Sequence, residues 1–335
     1  MHRGVNTLTK VRLTYRYGEH MDAGTVGSLG EFGTISRITS GLPDAPAVSV
    51  GPGDDAAVFL VNGSSVTSVD VLVEGVHFRR DWVPAEMLGR RAVAAAAADI
   101  EAMGAHQGAV LVGLTVPADI PVSWIDDLAK GIRLECEAAG AALVGGDLTR
   151  GRDVVISVTV MGETRGALPV LRSGAVPGDV VAFRGRLGWS AAGLTVLSRG
   201  FRSPRALVEA YQLPHVPYGA GAEARHAGAT AMIDVSDGLL ADLGHIAEDS
   251  QVSIDLDSAR FEIPDALHAV AAATGADPLR FILTGGEDHA LAATFPLGKV
   301  PPEWHVVGVV TDGEPGVLVD GQPYSGTPGW DHFRR

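Results

Sequence analysis

Adjacent carboxylates on a turn are the first chemistry this sequence offers. In Val50-Gly51-Pro52-Gly53-Asp54-Asp55-Ala56-Ala57-Val58, two aspartates sit side by side between apolar segments, on a stretch rich in glycine and proline. Like charges this close repel, and a site that gathers carboxylates is ordinarily neutralised by a cation. A solvated turn is the competing reading, because Asp, Gly and Pro are common turn residues. Further acids then recur where no helix or strand needs them. Asp70 stands in the middle of an apolar strand pattern, Asp99 interrupts an alanine run, and Asp147 follows Gly145-Gly146. In the segment Ile233-Asp234-Val235-Ser236-Asp237-Gly238 a strand pattern passes directly into a helical one. Helix N-termini accept anions and capping oxygens, but capping accounts for Ser236 or Asp237 and not for both together with Asp234.

The elements around these residues decide where they point. A period of two over Val66–Val73 puts Ser68 and Asp70 on one strand face, with apolar neighbours on the other. Asn62-Gly63 just before it signals a hairpin with the preceding strand, 56–61. Pro84 opens a helix whose Arg91-to-Ala105 stretch is small and apolar almost all round, the mark of a buried helix packed on a sheet. Asp99 inside it is a third candidate ligand; a salt bridge to Arg90 or Arg91 is the rival, weakened by helical offsets that suit no direct pair. Segment 141–144 reads as a strand entering a diglycine, where a phosphate approaches the backbone closely or a plain turn follows. Segment 281–283 repeats that pattern ahead of Gly285-Gly286-Glu287-Asp288. His77 lies just past the Asp70 strand, within a substrate's reach or on a surface loop. Arg172 is a loop candidate for phosphate, and Trp330 offers a ring for stacking or a terminal apolar anchor.

At 335 residues the chain is long enough for two domains. We expect an extension over 1–27, one domain over 28–165 and a second over 166–335. Hydrophobic residues at 46% and charged residues at 20% mark an ordinary globular chain. The balance of 26 basic against 40 acidic residues gives −14, which argues against nucleic acid and requires cations between the protein and any phosphate substrate. The lone Cys136 reads as a buried structural thiol, no membrane span or signal core is evident, and the expected location is the cytoplasm. There is no glycine-rich loop ending in Gly-Lys-Ser/Thr and no protein-kinase motif set. With oxygen donors only, Mg²⁺ is the ion the residues suggest.

Taken together, Gly53-Asp54-Asp55, Ser68 and Asp70 with Glu74-Gly75-Val76-His77-Phe78, Asp99-Ile100-Glu101-Ala102-Met103-Gly104-Ala105, Gly145-Gly146-Asp147, Asp234 to Leu239, Gly285 to Asp288 and Trp330-Asp331-His332-Phe333 closely resemble the thiamine-monophosphate kinase family. That family belongs to the superfamily of aminoimidazole ribonucleotide synthetase, and the likeness runs from about Gly30 to Phe333. The resemblance implies an α+β protein of two domains, each a mixed β-sheet packed with helices. It also implies a homodimer formed through the first-domain sheets, with ATP and several Mg²⁺ ions in a cleft. By position, Asp55, Ser68, Val69, Asp70, Asp99, Asp147, Asp234 and Asp237 correspond to the metal cluster, with Asp70, Asp99 and Asp237 as its catalytic members. Gly146, Asp147, Arg172 and Ser236 correspond to ATP contacts, and His77, Glu287 and Trp330 to contacts of the acceptor, thiamine monophosphate. Val69 stands where many relatives carry threonine, so only its backbone carbonyl is a ligand candidate. The implied reaction is in-line transfer of the ATP γ-phosphoryl group. The alternatives are another ATP-dependent synthetase of the superfamily and a non-catalytic metal- or nucleotide-binding module; the selenophosphate type is disfavoured because no cysteine lies near the N-terminus.

Overall fold

The computed structural model describes residues 24–330. The first half comprises α1 (Val26–Thr39), β1 (Val48–Val50), β2 (Val58–Phe59), β3 (Ser65–Val73), α2 (Ala85–Ala102), β4 (His106–Val116), α3 (Val122–Ala139), β5 (Ala142–Arg150) and β6 (Val155–Glu163). Strands β3, β6, β4 and β5 lie in that order in one sheet, antiparallel except for the β4–β5 pair. The second half comprises β7 (Val180–Arg184), α4 (Trp189–Ser198), α5 (Arg205–Gln212), α6 (Ala220–Ala227), β8 (Ala231–Val235), α7 (Leu239–Ser250), β9 (Ser253–Leu256), α8 (Asp265–Thr274), α9 (Pro278–Thr284), β10 (Ala290–Phe295), β11 (His305–Thr311), β12 (Gly316–Val319) and β13 (Gln322–Pro323). Its seven-stranded sheet runs β13-β12-β9-β11-β7-β10-β8, with β12 parallel to β9 and the other pairs antiparallel. Both sheets are therefore mixed and both carry helices, as expected of an α+β chain.

Helix α2 is the element both halves share. It packs on α3 and on the β3 and β6 face within the first half, and on β8, β10, α5 and α6 of the second. That double contact explains an alanine run with no polar side: Ala92 to Ala98 are all buried. Leu88, Val93 and Ile100 on the same helix are 0% exposed, each contributing roughly 1.5–3 kcal/mol of apolar burial. The β3 alternation is also as read, with Ser68 and Asp70 turned toward α2 and Val69 and Val71 exposed at 60% and 40%.

Four expectations are corrected. The Asn62-Gly63 hairpin does not form: β2 pairs with β1, whereas β3 pairs with β6, about ninety residues later in the chain. Segment 281–283 is helical rather than a strand, inside α9, where Asp277 caps the Leu279 N–H and Pro278 occupies the first turn. Gly145 and Gly146 lie within β5 rather than at its end, because the strand continues to Arg150 beyond a bulge opposite Val110 and Leu111. Residues 25–27 belong to the start of α1, with Val26 buried, so the expected extension reaches too far; its remainder, 1–23, and the motif residues 331–333 lie outside the described residues. No helix among the described residues is long and apolar enough to cross a membrane.

Candidate active site between the two halves

Two carboxylates from different halves meet beside α2. Asp99 projects from α2 and accepts a 2.5 Å hydrogen bond from the Ser68 hydroxyl on β3. Burial first, then the negative charge of Asp234 on β8, push its carboxyl up to about 6, against the Ser68 hydrogen bond; Asp70 adds to the repulsion. Neither proposed rival for Asp99 holds, because Arg90 pairs with Glu135 and Arg91 with Glu287. Asp234 is 4% exposed and hydrogen-bonds through Oδ2 to His289 Nδ1 at 3.2 Å. Although burial opposes it, the hydrogen bond to Asp234 together with Glu287 raises the His289 imidazole to about 9. Its Nε2 is buried and, among the described residues, has no hydrogen-bond partner.

The loops carrying these groups are stitched to one another. Glu287 N–H donates to Ser236 C=O at 2.7 Å, and His289 N–H to Val235 C=O at 2.9 Å. Asp242, in the first turn of α7, accepts the N–H groups of Ser236, Asp237 and Gly238 on a single carboxylate oxygen. Burial and Asp234 raise that carboxyl to about 7 despite those hydrogen bonds. Asp237 therefore lies just ahead of the helix, whose cap is Gly238, and its own C=O accepts the Trp330 N–H at 2.9 Å. Trp330 is thereby placed at the Asp237 loop and is 61% exposed. His77 accepts the Val73 N–H on Nδ1 at 3.0 Å, next to a cavity of about 400 Å³ along the same loop lined by Glu74, Gly75, Arg79, Arg80 and Asp81. Burial alone would raise the Glu287 carboxyl, but Arg91, with His289 and His77, outweighs it and holds it below the usual glutamate value.

The structure thus gathers Ser68, Asp70, Asp99 and Asp234 from the sequence-derived set, with Ser236, Asp237, Glu287 and Trp330 on the adjoining loops. Asp55, Asp147 and Arg172 are exposed and share no hydrogen bond with this group. The Asp55 N–H is held by the Asp54 carboxylate, and the Arg172 C=O accepts the Ser250 hydroxyl. Gly146 is required by strand pairing, since a Cβ there would stand 2.0 Å from Val112 C=O. Sequence reasoning missed His289 and Asp242, and named Arg91 only as a rival partner for Asp99. The signals available were an imidazole directly after the Gly-Gly-Glu-Asp run and an acid in the first turn of α7.

Oxygen donors that repel one another suit a hard divalent cation. Burial first and the Asp234 charge second raise the Asp99 carboxyl, and a cation beside it would favour its ionised form. Among the described residues no three acids stand close enough to hold one ion as they are, so ion binding would draw them together.

Asp288 has a different job. Buried at 4%, its carboxylate accepts the N–H groups of Gly188 and Ser190 and so caps α4. Burial raises it to about 7, against those hydrogen bonds. Between the unfolded value of 3.8 and about 7 the folded chain holds the extra proton, so stability should fall as pH rises through that window. The full fall across the window is on the order of 4 kcal/mol, and Asp288→Asn should abolish it. Calorimetry from pH 4 to 8 checks this; parallel profiles for the parent and the variant would refute it.

Comparison with known proteins gives a consistent picture. The model of the AIR synthase related protein N-terminal domain matches residues 53–164, and that of its C-terminal domain matches residues 176–321. The thiamine-monophosphate kinase of Mycobacterium tuberculosis is 48% identical over 311 residues, 92% of this chain and 93% of its own. The enzyme of the same name from Corynebacterium glutamicum is 41% identical over 323 residues, covering 93% and 96%. The solved structure of AaThiL complexed with AMPPCP and TMP is 33% identical with a TM-score of 0.75, covering 96% of this chain and 100% of that one.

Proposed function

The chain belongs to the AIR synthase related family, among its thiamine-monophosphate kinases, and from that premise we propose how its cleft works. The protein is an ATP-dependent kinase that phosphorylates thiamine monophosphate, giving thiamine diphosphate and ADP. The observation that carries the reading is the meeting beside α2 of Asp99, hydrogen-bonded to Ser68 in the first half, and Asp234, held by His289 in the second.

Asp55, Ser68, the Val69 carbonyl, Asp70, Asp99, Asp147, Asp234 and Asp237 would hold Mg²⁺. Of these, Ser68, Asp70, Asp99 and Asp234 already converge, while Asp55, Asp147 and Asp237 would join from the periphery. Bound there, the ions would offset phosphate charge and strengthen as the transferring group develops charge. The residues of the chain position the rest. Gly146, Asp147, Arg172 and Ser236 would bind ATP, and His77, Glu287 and Trp330 the acceptor, with the Trp330 ring offering a face for an aromatic group. The acceptor oxygen is already anionic, so no strong base is needed. Direct in-line transfer follows from positioning both anions, without a phosphorylated side chain.

The boundary between the domains is placed at 165–166, within the 164–179 connection that joins the two sheets. A homodimer through the open first-domain sheet face fits the exposure of Val69 and Val71, and sedimentation equilibrium checks it. The reaction is placed in the cytoplasm, where ATP is available and the lone Cys136 needs no disulfide partner.

The whole chain should convert ATP and thiamine monophosphate with Mg²⁺ into equal amounts of ADP and thiamine diphosphate, read by chromatography. ADP without thiamine diphosphate would point to another superfamily reaction, and no turnover to a binding module.

A further inference from the structure

We propose that Arg91 is a positioning residue of the acceptor site: from the first-domain helix α2 it orients the Glu287 carboxylate of the second domain and couples it to the His77 loop. This rests on the assignment of Glu287 and His77 to the acceptor made above.

Arg91 is 1% exposed, a burial that arginine tolerates only when its donors are matched. Its NH2 donates to Glu287 Oε2 at 2.7 Å and its NH1 to Tyr211 C=O at 3.1 Å. The guanidinium also lies over the Tyr211 ring, 4.8 Å from its centroid. Both partners belong to the second half, whereas Arg91 belongs to the first. Tyr211 completes the connection, because its hydroxyl reaches back to His77 C=O at 3.4 Å. Glu287, Arg91, Tyr211 and His77 therefore form one chain of contacts between the two halves.

Glu287 is held at both ends. Its backbone takes the left-handed φ of 64°, and its N–H is fixed to Ser236 C=O. The side chain nevertheless remains 38% exposed, so one oxygen is committed to Arg91 while the carboxylate stays open on its other side. A fixed, charged and half-exposed acceptor suits a ligand bearing an amino group and a cationic ring. Thiamine monophosphate carries both, an aminopyrimidine and a thiazolium; ATP carries no cationic ring. Loss of Arg91 should therefore weaken the acceptor step and spare ATP. Lysine offers one point charge in place of a planar fork and meets Glu287 without also holding Tyr211.

Steady-state kinetics with each substrate varied separately test this on the full-length protein. Arg91→Gln and Glu287→Gln should each lower kcat/KM for thiamine monophosphate by about 10²-fold, with KM for ATP within about twofold of the parent. The double variant should be no worse than Glu287→Gln alone, and Arg91→Lys should recover part of the loss. Should Arg91→Gln fail to fold, Arg91→Lys with and without Glu287→Gln carries the same comparison. Equal rises in both KM values, or additive losses in the double variant, would make Arg91 merely structural and overturn the proposal. A normal acceptor KM in Glu287→Gln would instead overturn the acceptor-site assignment on which it stands.

Discussion

Asp99→Asn is expected to lower turnover by about 10³-fold while the ion-free chain stays folded and becomes more stable near pH 8. The two effects have one cause. Burial and the Asp234 charge raise the Asp99 carboxyl to about 6, so the ionised form at pH 8 opposes folding. From an ordinary value of 3.8 that opposition is on the order of 3 kcal/mol, and a neutral amide removes it. Asparagine can still accept the Ser68 hydroxyl proton, so the local packing has no reason to collapse. Asp70→Asn should also abolish turnover with the fold retained. Turnover and denaturation in EDTA check both variants; near-normal rates in either would remove the acidic cluster from the chemistry. A destabilised Asp99→Asn would show instead that the carboxylate is a structural anchor.

Gly221→Ala is expected to separate the two halves. At the start of α6 the Gly221 N–H donates to Glu101 Oε2, as does the Gly219 N–H, while Gln107 donates to Oε1. Glu101 is the buried clasp between α2 and α6 that this geometry requires. A Cβ at position 221 would stand 1.8 Å from Glu101 C=O, a clash with helix backbone that no side-chain rotation relieves. The cost should reach about 3 kcal/mol. Because Asp99 lies one half-turn from Glu101 on the same helix, kcat should fall by about 10²-fold as well. Denaturant titration and kinetics read the two losses. A variant within about 0.5 kcal/mol of the parent would mean that α6 is free to shift without consequence.

Much of the site could be read from the sequence, because the signals were local. A carboxylate inside the α2 alanine run, and a serine and an aspartate two apart on β3, announce one shared face through the helical and strand periods alone. The strand-to-helix passage at Asp234 to Leu239 was visible for the same reason. What escaped depends on partners distant in sequence. Nothing near Asn62-Gly63 says that β3 will pair with β6 across the intervening α2, β4, α3 and β5. The run Phe281-Ile282-Leu283 is too short to distinguish helix from strand, and the deciding cues were the cap Asp277 and the first-turn Pro278. His289 has no motif of its own; its importance comes from Asp234, fifty-five residues away, bonding to its ring. The family likeness also set Asp55, Asp147 and Arg172 in the site, yet these exposed groups take no part in the hydrogen-bonded cluster. An ion and ATP would have to bring them into contact.

Counting bound ions tests the central claim most directly. Mn²⁺ binding, followed by electron paramagnetic resonance with a non-hydrolysable ATP analogue, should show about one ion fewer in Asp99→Asn than in the parent. An equal count and affinity in the two proteins would contradict the account.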